Sequence, residues 1–151
     1  MDFTDYDTRL GAYAVVVQEG RLLLALFNEL AVPTWTLPGG GVELSETVQD
    51  AVVREVREET GYDVALGRIL AVDTSVVPPE ERLRPTERPL KSLRVLYEAH
   101  VTGGELRHEL DGTTDEARWI PLGEVPSLQR VAYVDLALAF VAPSTDDTPF
   151  P

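Results

Sequence analysis

Residues 40–62 read GGVELSETVQDAVVREVREETGY. Ser45 as N-cap and Gly61 as C-terminal stop bracket a predicted helix that runs to Thr60. At roughly 100° per residue, Val48, Ala51 and Val52 share one side, and Glu55, Glu58 and Glu59 continue that side into the last turn. A face that opens apolar ought to be buried, and buried carboxylates repel one another and are costly to desolvate. Negative charge near a helix C-terminus also opposes the macrodipole. Three such groups call for a cation. Oxygen-only ligation selects a hard divalent ion, Mg²⁺ with Mn²⁺ as substitute, of the kind that keeps waters and meets substrate phosphates. A charged surface helix whose Glu and Arg side chains pair across turns accounts for Glu46, Asp50, Arg54 and Arg57, which lie toward the opposite side. It does not account for three glutamates beside the valines.

Gly40, Glu46, Arg54, Glu55, Val56, Glu58, Glu59 and Gly61 fall at the offsets of G-x5-E-x7-R-E-U-x-E-E-x-G-U, with U aliphatic. The stretch therefore resembles the Nudix box. Tyr62 stands where the pattern prefers an aliphatic residue, a departure that bears on packing and leaves the ligand positions filled. The segments WTLPGGG, residues 35–41, and EARWIPLGEVP, residues 116–126, resemble stretches that flank the box in the same superfamily. The resemblance implies the α+β Nudix fold, a mixed β-sheet sandwiched between helices. It also implies one Nudix hydrolase domain over residues 1–151, with 1–10 and 142–151 as loose termini, and a homodimer as a common assembly.

Composition narrows the classes. A chain of 151 residues, 44% hydrophobic, suits one globular domain with a real core. With no cysteine, disulfides, zinc-thiolate sites and thiol nucleophiles are excluded. That absence also rules out the cysteine chemistry of isopentenyl diphosphate isomerase, which shares the implied fold. The first ten residues lack the regions of a signal peptide and no apolar run matches a membrane span, so a cytoplasmic protein with no membrane partner is expected. A net charge of −13 argues against a nucleic-acid polymer as partner. A small anionic substrate meets the same repulsion, which bound metal ions offset locally.

Outward from the box, residues 12–18 and 21–27 are apolar, partly β-branched runs joined by Glu19-Gly20, a hairpin signature. Residues 28–38 read as a loop leading into a glycine turn at Gly39, Gly40 and Gly41, where missing side chains let backbone approach a metal or phosphate. Residues 64–77 read as a strand. Leu93, Val95, Tyr97, Ala99 and Val101 alternate in another, residues 116–120 form a short one, and residues 128–140 suggest a closing helix. Trp35 reads as packing under the glycine loop in preference to stacking on a base, and Trp119 as core. His100 and His108 have no partner at metal or triad spacing and read as solvent-facing.

The long segment VPPEERLRPTERPLK, residues 77–91, concentrates Arg82, Arg84, Arg88 and Lys91, with Arg94 nearby, in a chain with 13 basic residues. These side chains are candidates to meet a phosphate or ribose hydroxyl; a solvated loop of ordinary composition is the competing reading.

By position, the resemblance implies Glu55, Glu58 and Glu59 as metal ligands, the Gly40 carbonyl as a further ligand, Arg54 as the group that orients the carboxylates, and Glu46 as support for the loop or helix. The general base is left open among Glu58, Glu55 and an acid outside the box, where Asp111, Asp115 and Glu116 are candidates for an extra ligand or base. The implied activity is hydrolysis of a nucleoside diphosphate linked to another moiety. Pro78, 16 residues after Tyr62, resembles a proline near that distance in the ADP-ribose pyrophosphatase branch, a resemblance that implies ADP-ribose or a nucleotide sugar. Hydrolysis of NTPs or oxidised dNTPs is the alternative, and a nucleotide-sensing domain without catalysis is the rival of another class.

Overall fold

The computed structural model describes residues 1–107 and 114–141, with the side chains of 114 and 115 outside the description. Seven strands and two helices follow in the order β1 (Asp7–Gln18), β2 (Arg21–Phe27), β3 (Thr34–Thr36), β4 (Gly39–Gly41), α1 (Val48–Thr60), β5 (Tyr62–Val77), β6 (Leu90–Gly104), β7 (Thr114–Pro121) and α2 (Ala132–Val141). The sheet runs β3-β2-β1-β6-β5, with β4 also pairing β1 and β7 also pairing β2. β1 and β6 are parallel and the other ladders antiparallel, so the sheet is mixed.

Strand alternation sends successive side chains to opposite faces. Ala12, Ala14 and Val16 of β1, with Leu23, Val95 and Tyr97, pack on Val52 and Val56 of α1. Their neighbours Tyr13 and Val15, with Leu22, Leu24 and Leu96, pack on Val134 and Ala137 of α2. The two helices therefore cover opposite faces, and the expected mixed sheet between helices is what forms. Each valine or leucine so buried contributes about 2 kcal/mol relative to exposure.

The hairpin turn at Glu19 and Gly20 has φ of 51° and 73°, the twin positive angles of a tight turn that matches strand twist. Three expectations are corrected. The glycine run is a strand: Gly39, Gly40 and Gly41 pair with Tyr13, Ala12 and Gly11. Three glycines carry no alternation, so no pattern marked the pairing. Residues 7–10 belong to β1, because the parallel ladder to β6 begins at Asp7 opposite Leu90. The helix is capped by Thr47, whose hydroxyl accepts from the Asp50 amide at 3.1 Å. Ser45 instead lies inside a turn closed by the Glu46 amide on the Glu43 carbonyl, 3.2 Å. The tail at 142–151 lies outside the described residues.

Gly39 is pressed tightly against β1. Its φ is 150°, and a Cβ there would stand 2.2 Å from the Ala12 carbonyl oxygen. Gly39→Ala should therefore cost about 2 kcal/mol or more in denaturant unfolding. Gly123→Ala, where an added Cβ meets nothing within 4 Å, should change the midpoint little. Equal midpoints for Gly39→Ala and the wild type would mean that β4 is not pressed against β1.

Candidate active site

The last two turns of α1 carry the box carboxylates, and their surroundings differ. Glu59 is 4% exposed, with its Oε2 accepting from the Gly39 amide at 3.0 Å. Glu55 is largely buried and Glu58 is exposed. A Cβ on Gly40 would stand 2.8 Å from Glu55 Oε1, so only glycine lets the backbone come so close to that carboxylate. The helix then stops at Gly61, φ 83°, whose amide donates to the Arg57 carbonyl.

Arg54 joins the parts. It donates from Nη2 to Glu46 Oε1 at 2.6 Å and from Nε to Glu46 Oε2 at 3.0 Å. Nη1 reaches Glu55 at 3.0 Å and Glu58 at 3.2 Å, while Nη2 also meets the Gly41 carbonyl at 3.3 Å. The helical projection put Glu46 and Arg54 toward the outer side. Glu46 precedes the helix, however, and the long arginine side chain wraps back beside its own neighbours. The Arg54 pair, with help from the Glu43 backbone, holds the Glu46 carboxyl down at about 2. Burial pushes the Glu55 carboxyl up, against the pull of Arg54.

Among the described residues, no three acidic or histidine side chains converge at metal-holding distance. The reason is visible in the contacts: Glu55 and Glu58 are turned onto Arg54, and Glu59 onto the Gly39 amide. The donor set nevertheless suits a hard divalent ion, being three carboxylates beside a glycine backbone with no Cβ in the way.

Gly39, Gly40, Gly41, Glu55 and Glu59 form one wall of a cleft of about 480 Å³. Phe27, Leu30, Leu83 and Val131 contribute apolar lining, and Arg9, Tyr13, Glu29, Thr36, Arg94 and Tyr133 line the remainder. Tyr13 and Tyr133 pack with ring centroids 4.8 Å apart, and the Arg94 guanidinium lies over the Tyr133 ring at 4.8 Å. Burial pushes the Tyr133 phenol far above its ordinary range, and its hydroxyl shares a 2.8 Å hydrogen bond with Thr36. Sequence reasoning missed Arg9, Tyr13, Thr36 and Tyr133. Arg9 fell in a segment read as loose, and the tyrosines meet only through the fold, 120 positions apart.

The other candidates are placed as follows. Arg82 and Arg88 both grip Asp7, at 2.6 and 2.8 Å, and hold its carboxyl below the usual range. Arg88 also donates to the Thr4 carbonyl, so the two guanidiniums fasten the 78–89 segment to the start of β1. Arg84 is exposed, and only Leu83 of this segment lines the cleft. Lys91 sits over the Tyr6 ring. Glu116 is on β7, paired with Arg118. Asp111 and His108 lie outside the described residues, as does the side chain of Asp115. His100 is exposed on β6. Trp119 donates to the Tyr62 hydroxyl at 2.9 Å, which gives the atypical tyrosine of the box a structural use. Trp35 packs against the α2 cluster.

Comparison with known proteins agrees with this geometry. The model of the NUDIX domain matches residues 7–138. A Bacillus subtilis protein named provisionally as an 8-oxo-dGTP diphosphatase is 34% identical over 118 residues, 77% of this chain and 68% of that protein. The ADP-ribose pyrophosphatase of Methanocaldococcus jannaschii is 36% identical over 108 residues, 71% of this chain and 57% of the archaeal one. The match thus spans little more than half of that relative. The crystal structure of a MutT NUDIX hydrolase from Burkholderia pseudomallei superposes with a TM-score of 0.73 at 29% identity, covering 90% of this chain and 99% of that one. With the family model spanning both faces of the sheet, the box helix and the cleft, the chain belongs to the NUDIX family of pyrophosphohydrolases.

Proposed function

We infer that this chain hydrolyses the diphosphate linkage of a small nucleoside diphosphate derivative, with Mg²⁺ held by Glu55, Glu58, Glu59 and the Gly40 carbonyl. The observation that carries this reading is the cleft itself, whose lining combines two sets of residues, the glycine run with Glu55 and Glu59, and the apolar Phe27, Leu30, Leu83 and Val131. A diphosphate suits the first and a nucleobase the second. When bound, the ion neutralises charge on the phosphoryl oxygens and acidifies water for attack in line on phosphorus.

The chain's own groups supply the rest. Arg54 keeps Glu55 and Glu58 side by side through charge-assisted hydrogen bonds and is itself braced by Glu46. Glu55 and Glu58 would have to give up their hydrogen bonds to Arg54 to hold an ion, and the Arg54–Glu46 pair would remain to fix the guanidinium. Of the two box carboxylates weighed as general base, Glu55 lines the cleft, so it is the one within reach of a bound diphosphate.

Pro78, the sequence hint toward ADP-ribose, precedes a short 3-10 turn at Pro79–Glu81 and does not line the cleft. A panel of ADP-ribose, nucleotide sugars, dinucleoside polyphosphates and ordinary or oxidised NTPs, assayed in Mg²⁺ with product identification, tests the reading. ADP-ribose yields AMP and ribose 5-phosphate, whereas an NTP yields the monophosphate and pyrophosphate. Tight binding of a panel member with no cleavage in Mg²⁺ or Mn²⁺ would instead identify a sensing domain.

Glu58→Gln and Glu59→Gln keep shape and remove charge. Each should lower kcat by about a hundred-fold or more while thermal unfolding shows a retained fold. Glu46→Gln should be milder, since its carboxylate acts through Arg54. Full activity of Glu59→Gln at saturating Mg²⁺ would place the metal elsewhere.

The depressed Glu46 pKa also has a thermodynamic sign. Its contribution to stability is fully present above about 4.5 and is lost as pH falls toward about 2. The stability gap between wild type and Glu46→Gln, from denaturant midpoints, should therefore be constant above pH 5 and close between pH 4.5 and 2. A gap independent of pH over that range would show that Glu46 is not held ionised by Arg54.

A further inference from the structure

We propose that Arg9 is a substrate-binding residue whose guanidinium grips non-bridging oxygens of the bound diphosphate at the edge of the cleft. The inference rests on reading the cleft as a diphosphate site and adds a protein cation to it.

Charge pairing singles this residue out. The chain has 26 acidic residues against 13 basic ones, so a cation finds a carboxylate easily. Arg54, Arg57, Arg68, Arg82, Arg88, Arg94, Arg118 and Arg130 each have a carboxylate within 4 Å. Among the described residues Arg9, Arg21, Arg84 and Arg107 have none, and of these four Arg9 alone lines the cleft. Arg94, the other arginine of the cleft, is mostly spent: it pairs with Asp73 at 3.3 Å, donates to Ser75 at 3.0 Å and stacks on Tyr133.

Backbone geometry lays Arg9 along the glycine wall of the cleft, on the side of β1 that carries Tyr13. Arg9, Gly11 and Tyr13 share one face of β1, and Gly11 stands opposite Gly41 of β4. A Cβ on Gly11 would be 3.1 Å from Arg9 Nη1, and one on Gly41 would be 3.8 Å from Nη2. The guanidinium thus lies across Gly11 and Gly41, while Gly40, whose Cβ direction alternates to the other face, abuts Glu55 in the same cleft. Among the described residues its side chain makes one hydrogen bond, from Nη1 to the Tyr13 hydroxyl at 3.3 Å, which fixes its direction and leaves its other donors for an anion. A planar fork of donors matches the oxygens of a phosphate.

The test is calorimetric titration of the full chain with methylenediphosphonate, a pyrophosphate analogue that is not hydrolysed, in Mg²⁺. Arg9→Ala should bind about ten- to hundred-fold more weakly, the loss of a hydrogen bond to a charged group. Arg9→Lys, which keeps the charge and loses the fork, should fall between. Arg21→Ala, an exposed arginine outside the cleft, should match the wild type. Unchanged binding by Arg9→Ala, an equal loss in Arg21→Ala, or no binding by the wild type would each overturn the inference. The two readings fail separately. A protein that binds the analogue through Arg9 but cleaves no panel substrate would sink the hydrolase reading alone, and turnover with Arg9-independent binding would sink this one alone.

Discussion

The site depends on one guanidinium holding three carboxylates. Carboxylates gathered round one point repel one another, so Glu46, Glu55 and Glu58 need a cation between them. Arg54 supplies that cation and adds a hydrogen bond to the Gly41 carbonyl, which ties the helix to the neighbouring strand. Glu59 makes a second tie through the Gly39 amide. Helix α1 and strand β4 are therefore positioned by the same polar groups that face the cleft. Chemistry and fold share these residues, and a change to either tie is felt by both.

The helix was legible because its information is local. Helical periodicity, a glycine stop and fixed offsets among charged residues all fall within 23 positions. The β1–β2 hairpin was legible for the same reason. Strand β4 was not, since glycine carries no alternation, and the start of β1 was not, since its partner Leu90 lies 83 positions away. Arg82 and Arg88 stood out by composition in a chain with few cations, yet they serve Asp7 at the far end of the sequence. Arg9 and Tyr133 drew no notice and line the cleft. Composition identifies what is scarce, whereas topology decides where it acts.

The acidity of the chain acquires a physical role once the pairing of its cations is laid out. A net charge of −13 repels an anionic substrate at long range. Most arginines are neutralised by carboxylates, so they do little to offset that field. On the proposed reading, attraction falls to metal ions on the box wall and to the cations that, among the described residues, have no carboxylate within 4 Å. On that reading, binding of a small diphosphate would be conditional on the metal.

The central claim is that the face formed by Glu55, Glu58 and Glu59 with Gly40 is a divalent metal site. Substoichiometric Mn²⁺ added to isotopically labelled protein broadens amide NMR signals close to the bound ion. The account predicts that the signals of residues 39–41 and 55–59 vanish first, while those of the outer stretch of β5, residues 69–76, persist. Broadening that began elsewhere, for example at the exposed Asp2 and Asp5 of the N-terminus, with residues 39–41 unaffected, would contradict it.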